Sequence, residues 1–271
     1  MINTFKDFII ALNNPKPLSI IRLGNVEASQ MLCEAGELYY QMPTNAGFFG
    51  DDKALMTWKK DMLFAMKNAD LNMRVVSCNS FWVCDDVLTR LNLFIPTLPY
   101  VEDITFWTSL LNQLNTNKLA FVSYFSEDIK KQIPFMKWIL EKNGGINKDA
   151  KKWKIIHSLN TIEGNQPSDK SFKEVGEELL KRCLDADQDI YFLSCGCYGI
   201  PLCDALKRKG KKAIYVGGFL QLLFGLKGKR WDDRNIVSQF YNKHWKYPET
   251  KPENHKLVEG GCYWGEEVNT P

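Results

Sequence analysis

Short apolar runs alternate with helical stretches along the whole chain, a pattern that predicts a parallel sheet flanked by helices. Most of the runs are β-branched or aromatic and apolar on both faces, as is typical of strands buried inside such a sheet. The predicted strands are Leu18–Leu23, Met73–Cys78, Lys118–Tyr124, Trp153–Ser158, Asp189–Ser194 and Lys212–Val216. The predicted helices are residues 2–12, 26–35, 52–68, 100–115, 127–141, 171–186 and 199–209.

The order of these elements predicts a single α/β domain over residues 1–271, with a Rossmann-like, mostly parallel sheet. Residues 232–271 differ, because they mix Trp, Tyr, Pro, Gly and charge without periodicity. We expect them to form an extended, irregular tail that packs on the domain. The net charge of +3, with 45% hydrophobic and 25% charged residues, is ordinary for a globular protein, so disordered, collagen-like and coiled-coil classes are excluded.

The cysteine pattern and hydropathy indicate a compartment. The eight cysteines include no C-x-x-C pair and no zinc-like spacing with histidine, and several lie in apolar runs. We therefore expect free thiols in a reducing environment. No apolar run reaches the roughly 18 residues that a membrane span needs, and the N-terminus lacks a signal-peptide pattern. These features predict a cytoplasmic protein without a transmembrane segment, and they leave its oligomeric state open.

Ligands of open α/β sheets bind beyond the carboxyl ends of the strands, and the first such junction is unusually polar. The predicted strand Leu18–Leu23 carries Arg22 near its end, and Gly24, Asn25 and Glu27 follow. Asn25 is a good helix N-cap, and an acid at position 27 favours the helix dipole. A structural role and a binding role both fit these residues.

A second junction follows the strand Asp189–Ser194, which runs into the turn Gly196-Cys197-Tyr198-Gly199. A glycine turn that opens a helix leaves backbone N–H groups free to bind an anion or a diphosphate. The pattern is neither a full G-x-G-x-x-G fingerprint nor a Walker A loop. A plain strand-to-helix turn is the alternative interpretation.

The third junction joins glycines to cations. The strand Lys212–Val216 ends at Gly217-Gly218, and Gln221 is the one polar residue of the apolar stretch that follows. The basic loop Lys227-Gly228-Lys229-Arg230 comes next. Glycines let the backbone approach a ligand closely, and ammonium and guanidinium groups bind phosphate oxygens. We favour phosphate binding here, whereas the basic run 207–212 is typical of a solvated helix end.

The first junction also carries a family resemblance. Arg22-x-Gly24-Asn25-x-Glu27 resembles the Arg-x-Gly-Asp-x-Glu motif of the GT-D-fold glycosyltransferases, a family long classed as a domain of unknown function. The resemblance implies transfer of a sugar from a nucleotide-sugar donor, and we expect a UDP-sugar as the donor and a glycan or a lipid-linked saccharide as the acceptor. It also implies a divalent metal, Mn²⁺ or Mg²⁺, at Glu27, although Asn25 replaces the family's first carboxylate.

Under that interpretation Glu27 and Asn25 are the catalytic candidates, and Glu27 holds the metal or acts directly at the sugar. Arg22 and the Gly196–Gly199 turn seat the nucleotide, while Lys227 and Arg230 neutralise the leaving diphosphate. The expected donor-binding residues are Arg22, Gly24, Ser194, Gly196, Tyr198, Gly199, Gly217, Gly218, Gln221, Lys227 and Arg230.

Other classes stay open. An NAD(P)-dependent oxidoreductase would have a fuller glycine fingerprint and an acidic ribose contact about 20 residues on. A nucleotide- or glycan-binding module would bind such ligands without turnover. Cys195 and Cys197 make a thiol enzyme a minor option, because a helix-entry turn lowers a thiol pKa. A nucleic-acid partner is disfavoured, because the net charge is modest and the basic residues cluster in one region.

Overall fold

The structure is a computed structural model that describes residues 2–74, 81–99 and 102–266. Its strands are β1 (Leu18–Ile21), β2 (Leu71–Arg74), β3 (Thr97–Pro99), β4 (Leu119–Ser123), β5 (Lys154–His157), β6 (Ile190–Ser194) and β7 (Lys212–Tyr215). They form one sheet in the order β3-β2-β1-β7-β6-β4-β5, and every pairing is parallel. The predicted α/β class with a parallel sheet is confirmed.

Helices connect and cover the strands. They are α1 (Phe5–Asn13), α2 (Asn25–Leu32), α3 (Asp52–Asn68), α4 (Phe81–Arg90), α5 (Ile104–Gln113), α6 (Ser126–Gln132), α7 (Met136–Ile139), α8 (Phe172–Asp185), α9 (Gly199–Arg208), α10 (Lys229–Asp232) and α11 (Asn235–Ser238). The sequence explains their starts: Ser171, for example, caps α8 in a reciprocal capping box with Glu174. Within the described ranges no helix is long and apolar enough to cross a membrane.

The core lies on both faces of the sheet. Adjacent residues of a strand point to opposite faces, so Ile20 and Phe121 belong to one buried cluster while Ile21 and Val122 belong to the other. All five residues of β4 are buried. Coverage on both faces is the reason that these strands read as continuous apolar runs.

Some predicted elements differ from the observed ones. β2 begins at Leu71, and residues 75–78 of the predicted strand lie outside the described part of the chain. The predicted helix 127–141 is interrupted, because Pro134 lacks a backbone donor and a 3₁₀ turn separates α6 from α7. β3 and α4 were not predicted at all.

The segment that the sequence predicted to be an irregular tail contains short ordered elements. α11 lies within it, and a parallel bridge joins Leu226 to Lys246. Trp245, Val258 and Trp264 are buried in the same cluster as Ile20. Up to residue 266, this segment therefore contributes to the core on one face of the sheet.

Candidate functional site

A cavity of about 400 Å³ opens at the carboxyl edge of the sheet. Its walls come from the residues that follow β1, β4, β5, β6 and β7, together with residues of the C-terminal segment. β1 lies where the strand order turns, with β2 and β3 on one side of it and β7 on the other. Ligands of open α/β sheets bind at such a turning point.

Most of the residues singled out from the sequence line this cavity. They are Arg22, Gly24, Asn25, Glu27, Ser194, Gly196, Gly217, Gly218, Gln221 and Arg230. Tyr198, Gly199 and Lys227 are not among the lining residues. Residues from all three strand-end junctions therefore line one cavity, although some residues of these junctions lie elsewhere.

Glu27 is a buried carboxylate at the start of α2. Gly24 is the extended N-cap residue of that helix, and the Glu27 side chain folds back over it, so that a Cβ on Gly24 would lie 2.4 Å from Oε2. Only 7% of Glu27 is exposed, although it lines the cavity. The hydroxyl of Tyr215, at the end of β7, donates to Glu27 Oε1 over 3.4 Å. A polar side chain buried beside a cavity is costly to keep, which makes Glu27 a candidate for a role in the site.

Tyr215 links three of the predicted residues. Burial and the Glu27 carboxylate raise the pKa of Tyr215 well above its ordinary value, while Arg22 opposes this shift. The phenol therefore stays protonated and donates to Glu27. The Arg22 guanidinium lies 5.5 Å from the centroid of the Tyr215 ring, and a Cβ on Gly199 would lie 2.4 Å from the same ring. Gly199 thus makes room for Tyr215 rather than lining the cavity.

Glycines after β7 let the cationic and aromatic side chains approach. Gly217 has a φ of +71°, and a Cβ there would come within 2.5 Å of Arg22 Nη2. A Cβ on Gly218 would come within 2.2 Å of the Tyr263 ring. Arg230 Nη1 donates to the Tyr263 hydroxyl over 3.1 Å. Arg22 therefore lies against the first glycine of this turn, and Arg230 is joined to the second through the Tyr263 ring.

Gln221 fastens the C-terminal segment to this turn. Its Nε2 donates to the backbone oxygens of Lys227 and Tyr263, over 2.8 and 3.0 Å. Gln221 is 1% exposed, and its Oε1 has no hydrogen-bond partner. We conclude that the side chain holds a wall of the cavity in place. The sequence showed only that one polar residue stands in an apolar stretch, and it did not reveal this role.

Charges of both signs line the cavity in equal number. The cations are Arg22, Arg230 and Arg234, and the anions are Glu27, Glu102 and Glu259. Arg234 pairs with Glu102 over 2.7 Å, and Arg230 pairs with Glu259. The lining therefore has no net charge while these carboxylates stay in place.

Sequence reasoning missed a neutral polar wall opposite these charges. It consists of Asn45, Ser123, Ser158, Asn160 and Thr161. Ser158 is 2% exposed and its Oγ has no hydrogen-bond partner. Most of these residues lie at or just after the ends of β4 and β5, so the strand-end rule was the available signal. Hydroxyl and amide groups in this arrangement suit a polyhydroxylated ligand.

The side chains of Lys227 and Tyr198 contact aromatic rings outside the cavity lining. The Lys227 ammonium lies 4.6 Å from the centroid of the Tyr247 ring, a cation–π distance. Tyr198 stacks on Phe172 with the ring centroids 4.3 Å apart. Both side chains contact aromatic rings of the protein, and neither lines the cavity.

The described residues offer little to hold a metal. They contain no cluster of three or more His, Cys, Asp or Glu side chains suited to a metal ion. Near the first junction the hard ligands are Glu27 and the Asn25 amide, and the Asn25 oxygen also accepts from the Cys84 thiol over 3.6 Å. A cation bound there would have to take its other ligands from substrate phosphates and water.

Thiol chemistry is not supported either. Cys195 lines the cavity, but burial raises the pKa of its thiol. Burial and the Glu27 charge do the same for Cys197. The nucleophilic thiolate is therefore disfavoured at both positions. All seven cysteines of the described ranges are free thiols, as the sequence predicted, and Cys78 lies outside those ranges.

Comparisons with known proteins leave the function open. No protein-family model matches the chain, and no curated protein matches it. Among solved structures, the chain is similar to the selenomethionine-substituted structure of domain of unknown function 1792. That match has a TM-score of 0.47 and 13% sequence identity, and covers 79% of this chain and 75% of the other.

Proposed function

We propose that this protein is a glycosyltransferase that moves a sugar from a nucleoside-diphosphate donor to a hydroxyl group of an acceptor. The observation that carries the proposal is that Arg22, which lies against Gly217, and Arg230, which is held by Tyr263 next to Gly218, line the same cavity at the carboxyl edge of the sheet. Guanidinium groups bind phosphate oxygens through paired, charge-assisted hydrogen bonds, so two of them in one cavity suit a diphosphate.

In this proposal each wall of the cavity has one task. Arg22 and Arg230 bind phosphate oxygens and stabilise the charge that collects on the nucleoside diphosphate as its bond to the sugar breaks. Glu27 provides negative charge near the sugar carbon, which becomes electron-poor in the same step. The neutral wall that includes Ser158 and Asn160 bonds the hydroxyls of the sugar and holds it for attack.

For the donor, the acceptor and the metal we keep what the resemblance of the Arg22–Glu27 motif implies. We propose a UDP-sugar as donor and a glycan or lipid-linked saccharide as acceptor. If a divalent cation takes part, Glu27 and Asn25 are its protein ligands and the diphosphate completes its shell. Because the arginines already face the diphosphate, we expect Mn²⁺ or Mg²⁺ to assist binding rather than to be essential for it.

A thermal-shift screen tests ligand binding first. We expect a nucleoside diphosphate to raise the melting temperature, since a ligand at 100 times its Kd adds about 2.7 kcal/mol to the free energy of unfolding. The panel contains nucleoside diphosphates and nucleotide-sugars, with Mn²⁺ or with EDTA, and NADH as the competing class. A shift with NADH and none with any diphosphate would overturn the proposal.

Turnover is then measured as donor hydrolysis or transfer, detected by mass spectrometry. Glu27→Gln keeps the side-chain shape but removes its charge, so we expect turnover to fall roughly a hundredfold or more. The melting temperature should stay the same or rise, because a buried charge is removed. Binding of diphosphates by a wild-type protein with no turnover on any donor would make the protein a binding module instead.

A further inference from the structure

A turn of unusual backbone conformation aims Glu259 at Arg230. Glu259 has a φ of +46°, and Gly260 and Gly261 follow with φ values of +69° and +80°. A non-glycine residue in the left-handed region is strained, and such strain is kept where the surrounding structure uses it. Here the turn brings the Glu259 carboxylate onto the Arg230 guanidinium at the rim of the cavity.

The carboxylates that line the cavity weaken its attraction for an anion. With Arg22, Arg230 and Arg234 balanced by three carboxylates, an incoming diphosphate meets no net positive charge. If one carboxylate leaves, the lining gains a net positive charge and attracts an anion more strongly. Each of the three is held differently, which indicates the one that leaves.

Glu259 is the carboxylate best able to move. Glu27 is 7% exposed and accepts from Tyr215, and the side chain of Glu102 is 23% exposed in its pair with Arg234. The side chain of Glu259 is 47% exposed, so water screens its pair with Arg230 and hydrates the carboxylate when it turns away.

Arg230 does not depend on Glu259 for its position. Its Nη1 donates to the Tyr263 hydroxyl over 3.1 Å, its guanidinium lies 4.8 Å from the centroid of that ring, and its backbone N–H donates to the Cys262 oxygen. The guanidinium is thus held in place by contacts that remain when the carboxylate moves.

We propose that Glu259 is a resident counter-ion of Arg230, which a diphosphate displaces when it binds. This inference rests on the proposed function only in that Arg230 binds the diphosphate. It predicts that the protein's own carboxylate lowers the affinity for anions, and that removing this carboxylate tightens binding.

Calorimetric titration with inorganic pyrophosphate tests this directly, using wild type, Glu259→Gln, Arg230→Ala and Glu253→Gln. Glu253 is an exposed acid of the same segment that does not line the cavity, so Glu253→Gln makes the same charge change away from the site. We expect Glu259→Gln to bind pyrophosphate about three- to fivefold more tightly at low salt, the scale of a partly exposed ion pair. The gain should shrink as salt screens the charges.

The outcomes separate the two proposals. Tighter binding by Glu259→Gln, with little change in Glu253→Gln and lost binding in Arg230→Ala, supports the counter-ion. Equal or weaker binding by Glu259→Gln, with Arg230→Ala still defective, overturns the counter-ion and leaves the diphosphate site standing. Pyrophosphate binding that is absent from every variant, or unaffected by Arg230→Ala, overturns both.

Discussion

The carboxylate of Glu27 rests on the backbone of Gly24, with no space between them for a methyl group. A Cβ on Gly24 would lie 2.4 Å from Glu27 Oε2, closer than any stable contact. Gly24 has a φ of −88°, a conformation that alanine adopts without strain. The glycine is therefore required by the position of a side chain and not by its own backbone.

This relationship predicts the effect of Gly24→Ala. The added methyl group displaces the Glu27 carboxylate, so we expect turnover to fall roughly tenfold or more while the melting temperature changes little. Gly176→Ala is the control, because a Cβ there makes only ordinary contacts, from 3.4 Å, with Tyr198. Kinetics on the donor found in the screen measure both variants. Full activity in Gly24→Ala would show that the reaction does not depend on where this carboxylate lies.

Gly217 and Gly210 form a matched pair for the arginine beside the turn. Both have positive φ, +71° and +81°, so alanine at either position costs about 1–2 kcal/mol of stability. Only at Gly217 does a Cβ also meet the Arg22 guanidinium, while at Gly210 it meets nothing within 4 Å. We expect both variants to lose a similar amount of stability and only Gly217→Ala to lose pyrophosphate affinity in calorimetry. Equal affinities would remove Arg22 from the anion site.

Lys227 and Arg230 should now behave differently, although the sequence grouped them. Arg230 lines the cavity, whereas the Lys227 ammonium faces the Tyr247 ring. Arg230→Ala should cost about 1.5–3 kcal/mol of UDP binding, the loss of a charge-assisted hydrogen bond. Lys227→Ala should match Lys209→Ala, a change at the exposed end of α9, with almost no loss. Equal losses in all three variants would mean that general basicity, not a defined site, attracts the nucleotide.

His157, at the end of β5, makes the stability of the protein depend on pH. Burial, followed by the charge of Arg182, lowers the pKa of His157 below its ordinary value of 6.5, and its Nδ1 lies 3.0 Å from Ser126 Oγ. On acidification the unfolded chain therefore takes up this proton before the folded protein does. The contribution of His157 to stability is complete at neutral pH and is lost as the pH falls below about 6.5.

Melting temperatures measured between about pH 7 and pH 5.5 test this contribution of His157. We expect the wild type to lose more stability than His157→Gln over that interval, because glutamine takes up no proton. A variant that loses as much as the wild type would contradict the lowered pKa.

The sheet and its ligand edge could be predicted because both follow local rules. The apolar runs of β4, β6 and β7 identify buried strands, and the strand-end rule then indicates Arg22, Ser194 and Gly217. β3 could not be predicted in this way, because a strand of three residues with one buried side chain is too short to show a hydrophobic pattern.

The rest of the site depends on contacts between distant parts of the chain. Whether Lys227 or Arg230 reaches the cavity is decided by Tyr247 and Tyr263, which come from a segment with no periodic pattern. Gly260-Gly261 does indicate a turn after Glu259, but the contact of that side chain with Arg230, 29 residues away, cannot be read from local propensity. These features are tertiary, so only the folded chain reveals them.

The pairing of β1 with β7 has a consequence for how the protein comes off the ribosome. Ser19 pairs with Ala213, so β1 has to wait for a partner strand that is made much later. Until then β1 and β2 present an apolar strand edge that another chain can join. We infer that the cavity, which takes residues from the ends of both strands, forms only after β7 has been made.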